Sequence, residues 1–173
     1  ENSGCSSFIA SSDKGDILFE CGPGTVSRLQ KQYPGDQIGR LRAIVISHLH
    51  WDHFSDLFSL YYLYKVRHRT DSSANEKLTV YMPMYPADIF RAISLEISQK
   101  QTPNDFFNIK PIEHVWSAYN SGLTLTFYKT VHDRVCYACV VSDLYGDAVG
   151  YTADTGYSKE LIDDMTKAGV RTL

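Results

Sequence analysis

Nothing in this sequence approaches the roughly 20 consecutive apolar residues needed to cross a bilayer. The most apolar run, 54–66, is interrupted by Ser55, Asp56, Ser59 and Lys65, so no membrane partner is expected. Positive charge is also scarce. Seventeen Lys and Arg stand against 20 Asp and Glu, a net charge of −3, and the chain therefore lacks an overall electrostatic footprint for nucleic acid. Its one basic cluster, Lys65, Arg67, His68 and Arg69, closes a predicted helix, where the helix dipole favours cations. Four cysteines in 173 residues do not make a disulfide framework, and a reducing cytoplasm is the expected compartment. Cys136 and Cys139 form a lone C-x-x-C inside a run of β-formers. Three apart on a strand they would face opposite ways, which predicts core packing rather than a shared metal. The chain does not open on Met, and Glu1–Gly4 has neither the basic nor the apolar segment of a signal peptide. Both ends are expected to be trimmed, with a C-terminal part missing.

What is present suits one soluble domain: 43% hydrophobic and 21% charged residues over 173 positions. Strands are predicted at Ser6–Ser11 and Asp16–Glu20 around an Asp13-Lys14-Gly15 turn. Gly22-Pro23-Gly24 breaks the chain, and Thr25 is placed to cap a helix running to about Tyr33, with Val26 and Leu29 inward. Ala43–Ser47 reads as a strand buried on both faces. A helix from about Phe54 carries Leu57, Leu60, Tyr61 and Tyr64 as a core stripe, with a substrate wall or homodimer face as alternatives. A polar loop at Asp71–Asn75, a strand at Leu78–Met82 and a helix at Pro86–Gln99 follow. Strands are then predicted at Phe106–Ile112, Leu123–Val131, Val135–Ser142 and Asp147–Thr152, a helix at Lys159–Lys167, and a strand from Val170. No repeat or linker divides these elements, so residues 1–173 are read as a single α/β domain.

The chemistry concentrates in Ser47–His53, reading SHLHWDH. His48, His50, Asp52 and His53 follow a buried strand and precede a helix, a turn that projects side chains into the crevice beyond the strand end. Imidazole and carboxylate suit Zn2+ first, with Mn2+ or Fe2+ as alternatives. An isolated histidine is usually a satisfied polar residue, and an Asp at a helix start is usually a cap. Three histidines and an aspartate in six positions would be costly to bury without a common ligand. His48 and His50 point the same way in extended backbone and can grip one ion, while Asp52 and His53 can reach a second. Two divalent ions about 3.5–4 Å apart can share a bridging hydroxide, the natural nucleophile of a hydrolase.

The H-x-H-x-D-H pattern of His48, His50, Asp52 and His53 resembles the hallmark of the metallo-β-lactamase superfamily. Leu18–Gly24 is similar to that family's early D-x-G segment, with Glu20 standing near its Asp and expected to support the site rather than ligate. Thr130-Val131-His132 resembles the third motif, which makes His132 a further ligand of the first ion. Tyr151-Thr152-Ala153-Asp154-Thr155-Gly156 resembles the fourth, with Asp154 bridging the two ions and Gly156 freeing the backbone to turn. The resemblance implies a four-layer αβ/βα sandwich. It also implies a last histidine beyond the strand beginning at Val170, for which His68 and His114 are wrongly placed to substitute.

Within that superfamily His48–Leu57 is most similar to the ribonuclease Z-like and phosphodiesterase branch. That branch implies a phosphodiester substrate, with Asp52 also acting catalytically to orient the hydroxide. Only 21 residues, 133–153, separate His132 from Asp154, leaving no room for a tRNA-gripping arm. A small phosphodiester such as a cyclic nucleotide or short oligonucleotide is therefore expected. A lactonase or thioesterase acting on an ester is the alternative, and a metal-binding module without turnover is a third.

Overall fold

The structure is a computed structural model in which residues 5–70, 76–98, 102–113 and 115–171 are described. The predicted loop Asp71–Asn75 and His114 lie outside the described residues, as does the side chain of His68.

The β-branched and aromatic runs pair into two sheets. In the first, β1 (Phe8–Ser12), β2 (Gly15–Phe19), β3 (Leu41–Val45), β4 (Leu78–Pro83) and β5 (Phe107–Ile112) lie in chain order. The β1–β2 hairpin is antiparallel and the other pairs are parallel. Parallel neighbours need crossovers. They are supplied by α1 (Thr25–Gln32), by α2 (Trp51–Phe54) with α3 (Leu57–Thr70), and by α4 (Met84–Ser98). The second sheet, β6 (Trp116–Asn120), β7 (Leu123–Lys129), β8 (Tyr137–Ser142) and β9 (Ala148–Tyr151), is antiparallel throughout and is followed by α5 (Lys159–Lys167).

The period of two along each strand decides the layers. Leu18, Ile44, Val80 and Met82 pack against Leu29 of α1, Leu57, Leu60, Tyr61 and Tyr64 of α3, and Phe90 of α4. Their alternates Ile17, Phe19, Ala43, Val45 and Tyr81 meet Leu123, Leu125, Phe127 and Cys139 of the second sheet. On its far side that sheet turns Ala138 and Val140 toward Leu161 and Met165 of α5. Helices, sheet, sheet and helix make the αβ/βα sandwich. Among the described residues no helix is long and apolar enough to cross a membrane.

Several expectations need correcting. Thr25 does not cap α1: Gly24, at φ 83°, is the capping residue and offers no side chain. The helix's free Val26 N–H donates instead to Asp56 Oδ2, 3.0 Å away, so the cap is tertiary. The helix expected from Phe54 is two helices, because the Asp56 N–H donates to the Cys21 carbonyl rather than to the turn before it. Strand β6 was not foreseen, since its residues are mostly exposed and show no clean alternation. It is paired through a two-residue turn, Ser121-Gly122, with φ of 51° and 78°, the left-handed pair that hairpins favour. Val170 does not start a strand; its N–H donates to the Met165 carbonyl and closes α5.

At the end of the sandwich where β2 begins, Asp16 is buried. It accepts from Tyr33 Oη at 2.7 Å and from Arg40 Nε at 3.2 Å. Burial alone would raise its carboxyl, yet hydrogen bonds from Arg40, Tyr33 and Ser11 hold it below the usual range. Its stabilising contribution is therefore full above the unfolded carboxylate pKa and is lost as pH falls through the lower folded value. Asp16→Asn is expected to cost about 1.5–3 kcal/mol near neutral pH and to flatten the acid limb of a urea-denaturation series. An unchanged acid limb would show that Asp16 is not the anchor.

Candidate metal centre

Strand β3 delivers the centre because it is buried on both faces and stops at a fixed point. Beyond it, the Ile46 N–H donates to the Tyr81 carbonyl and the Ser47 N–H to Glu20 Oε2 at 3.2 Å. His48 follows with no exposed surface. The loop after β2 packs directly on α2: Cys21 donates to the His53 carbonyl, and a Cβ at Gly22 would collide with the Asp52 carbonyl oxygen. Only glycine permits that approach.

Three chain segments meet at His48. His48 Nε2 lies 2.9 Å from His50 Nδ1, and His132 Nε2 lies 3.3 Å from the same His50 atom. Asp154 Oδ2 is 3.7 Å from His48 Nε2 and 3.9 Å from His132 Nε2. The ligating atoms of His48, His50, His132 and Asp154 all fall within 4.8 Å of one another. The other oxygen of the same carboxylate, Asp154 Oδ1, lies 3.6 Å from His53 Nε2, which is 3.5 Å from Asp52 Oδ2. Asp154 thus stands between two groups, His48/His50/His132 on one side and Asp52/His53 on the other. All six residues singled out in the sequence come together here.

The local turns are decided by backbone contacts. His132 sits in the loop after β7, closed by the Thr130 N–H donating to the Cys136 carbonyl. Thr130 Oγ1 donates to the Asp154 carbonyl at 3.0 Å, tying that loop to the one after β9. The turn at Asp154 is made by Ala153, at φ 51°, and not by Gly156.

The electrostatics suit a cation. Burial pushes the His48 imidazole down to about 4, helped by the charge of His53 and opposed by Asp154, so at neutral pH the ring is uncharged and one of its nitrogens carries a free lone pair. Its Nδ1 lies 2.8 Å from Ser47 Oγ, fixing the ring. His53 is held above the usual imidazole range by Glu20, whose Oε1 is 3.4 Å from Nδ1, with Asp154 and Asp52 assisting against burial. Three imidazole nitrogens, on His48, His50 and His132, converge with a carboxylate oxygen of Asp154. The His50 nitrogen lies 2.9 Å and 3.3 Å from the other two, near the roughly 3.3 Å ligand separations of a tetrahedral ion with bonds of about 2.0–2.1 Å.

Glu20 supports the group rather than entering it. It is fully buried, at φ 61°, and accepts from Tyr151 Oη at 3.0 Å as well as from Ser47. Burial and the Glu20 charge push the Tyr151 hydroxyl up, keeping it a donor. Tyr151 was missed as a partner, because no local pattern links residues 131 positions apart. Asp133 was missed too. Its Oδ1 is 3.1 Å from His132 Nε2 and 3.8 Å from His50 Nε2, and its side chain is 68% exposed at the mouth. Its place immediately after His132 was the available signal. Cys136 is more than core filling: its Sγ lies 3.6 Å from His48 Nδ1, with burial keeping it a thiol.

The sequence profile of the family described as Anti-Pycsar protein Apyc1 matches residues 3–173. The chain belongs to this family. The probable metallo-hydrolase YhfI of Bacillus subtilis is 29% identical over 161 residues, covering 93% of this chain and 61% of YhfI. Its crystal structure, that of a metallo-β-lactamase fold protein, superposes with a TM-score of 0.78 at 25% identity, covering 94% and 61% of the two chains. The mitochondrial ribonuclease Z 2 of Schizosaccharomyces pombe is 24% identical over 171 residues, 95% of this chain and 24% of that protein. Zn(2+)-bound PqqB from Methylobacterium extorquens shares the fold, with a TM-score of 0.67 at 15% identity, covering 95% and 64%. This Apyc1-family chain therefore has the metallo-β-lactamase fold, and it spans about three-fifths of YhfI and a quarter of the ribonuclease.

Proposed function

We propose that the chain carries the metal centre of a dinuclear metal-dependent hydrolase acting on small phosphodiesters, a cyclic nucleotide or short oligonucleotide being the expected substrate. The observation that carries this is Asp154, whose two oxygens divide between the His48/His132 and His53 sides. His48, His50, His132 and Asp154 would hold one ion, and Asp52, His53 and Asp154 the other. Zn2+ suits these nitrogen and carboxylate donors, and PqqB, which shares the fold, binds it. Bound there, paired divalent ions supply Lewis-acid polarisation of a phosphoryl oxygen and charge neutralisation.

The chain's own residues do the rest. His48 is already neutral at neutral pH, and the tautomer with its proton on Nδ1, toward Ser47 Oγ, offers the Nε2 lone pair. Glu20 beside Nδ1 of His53 favours the proton there and leaves Nε2 facing Asp52 and Asp154. Asp52, with 64% of its side chain exposed, can accept a proton from the attacking water and orient it in line. The phosphodiester reading is supported by the similarity to a ribonuclease Z and by the short stretch between His132 and Asp154.

Metal-loaded protein should turn over bis(p-nitrophenyl) phosphate and a 3′,5′-cyclic nucleotide but not a simple lactone. Asp52→Asn should lower that rate by about 10²–10⁴-fold while leaving the melting temperature in place. Turnover of the lactone alone would make it an acyl hydrolase. Inactivity on both, with one ion or none bound, would end the enzyme reading.

A further inference from the structure

The metal centre occupies the end of the sandwich where β3, β7 and β9 finish. The opposite end, where β3, β4 and β7 begin, holds a cavity of about 650 Å³. The seven residues of β7 separate the two by about 20 Å. Lys14 from the β1–β2 turn, Arg42 from β3, Arg67 from α3 and Lys77 before β4 all line it, with Glu76 the one carboxylate among the described residues. Four cations therefore face one acid in a chain whose net charge is −3. Such a concentration lowers the energy of an anion placed among them.

A second observation is independent of charge. Tyr64 forms part of the same wall, is 3% exposed, and its hydroxyl is buried with no hydrogen-bond partner among the described residues. Burial pushes that hydroxyl up to about 12, against the pull of Arg67 and Arg42, so it remains a donor. An unpaired buried hydroxyl costs free energy unless something accepts from it. Glu76 pairs with Arg42, an internal carboxylate standing where an external anion would. Lys77 Nζ donates to the Asn104 carbonyl at 2.6 Å, which holds that cation in place.

We infer that this cavity is a second ligand site, remote from the metal centre, which binds the phosphate group of a small phosphorylated molecule. A donor set of guanidinium, ammonium and hydroxyl groups matches phosphate oxygens. The volume falls in the range of small-molecule sites rather than that of a single bound ion. Tyr119, more than half exposed on the same wall, adds an aromatic face for the organic part of the ligand.

The test is isothermal titration of inorganic phosphate, adenosine 5′-monophosphate and adenosine into metal-loaded protein and into the same protein after EDTA. Phosphate and the nucleotide should bind in both states, with affinity falling as salt rises, and adenosine should not bind. Arg42→Gln should weaken nucleotide binding about tenfold. Glu76→Gln, which removes the competing carboxylate, should tighten it severalfold. Tyr64→Phe should weaken binding without lowering the melting temperature, whereas a purely structural Tyr64 would leave binding unchanged. Binding that vanishes with EDTA, and so belongs to the metal centre, would overturn the proposal. So would indifference to both Arg42→Gln and Glu76→Gln, or no binding at millimolar ligand.

Discussion

His48→Ala is expected to empty the first metal position and to reduce turnover on the order of 10³-fold. The size of the effect follows from where His48 sits. It is fully buried, its Nε2 is 2.9 Å from His50 Nδ1 and 3.7 Å from Asp154 Oδ2, and Ser47 fixes the ring from behind. No other nitrogen among the described residues is placed to take over. His53 is turned to the far oxygen of Asp154, and His132 Nε2 already lies 3.3 Å from His50 Nδ1. Removing the ring also leaves a cavity, so a loss of stability would confuse the result. His48→Asn, which keeps polar volume, controls for that. Elemental analysis should show about one equivalent of metal lost in both variants. Full metal content with full turnover in a folded His48→Ala protein would remove His48 from the centre.

Glu20→Ala should produce the largest loss of stability, about 3–5 kcal/mol. Breaking a buried charged pairing by deleting one partner costs that much, and here two donors lose their acceptor while His53 loses its carboxylate neighbour. The Ser47 N–H would be buried and unpaired, the half-buried Tyr151 hydroxyl would lose its acceptor, and His53 Nδ1 would lose the Glu20 oxygen 3.4 Å away. Glu20→Gln keeps one acceptor oxygen and should cost less, but it should loosen His53 and so weaken the second ion before the first. Chemical denaturation with metal titration separates the two effects. Glu20→Ala as stable as the parent, with both ions bound, would reduce Glu20 to a spectator.

The candidate ligands were legible because their information is local. His48, His50, Asp52 and His53 fall within six positions after a run of β-branched residues, so strand end, turn and ligand set can be read together. His132 and Asp154 each looked ordinary in isolation and acquired meaning only from a resemblance. The structure brings Asp154 within 4 Å of both His132 and His48. Element types were readable where periodicity was strong, as in α1 and α5. They were not readable in β6, whose exposed edge carries no pattern, or at Ser55-Asp56, where a backbone hydrogen bond to Cys21 splits a helix that the apolar spacing runs straight through.

By itself, then, the sequence determined an α/β chain with a dense His/Asp motif at a strand-to-helix turn. Periodicity and spacing are properties of neighbours along the chain. What only the tertiary structure decided is how that motif is divided and held. Asp154 faces both halves, Glu20 ties Ser47, His53 and Tyr151 together, Asp56 caps a helix 30 residues earlier, and four cations gather at the opposite end. Each of these is a contact between distant segments, made when the sheets stack and their strand ends come into register. No property of the intervening residues encodes it.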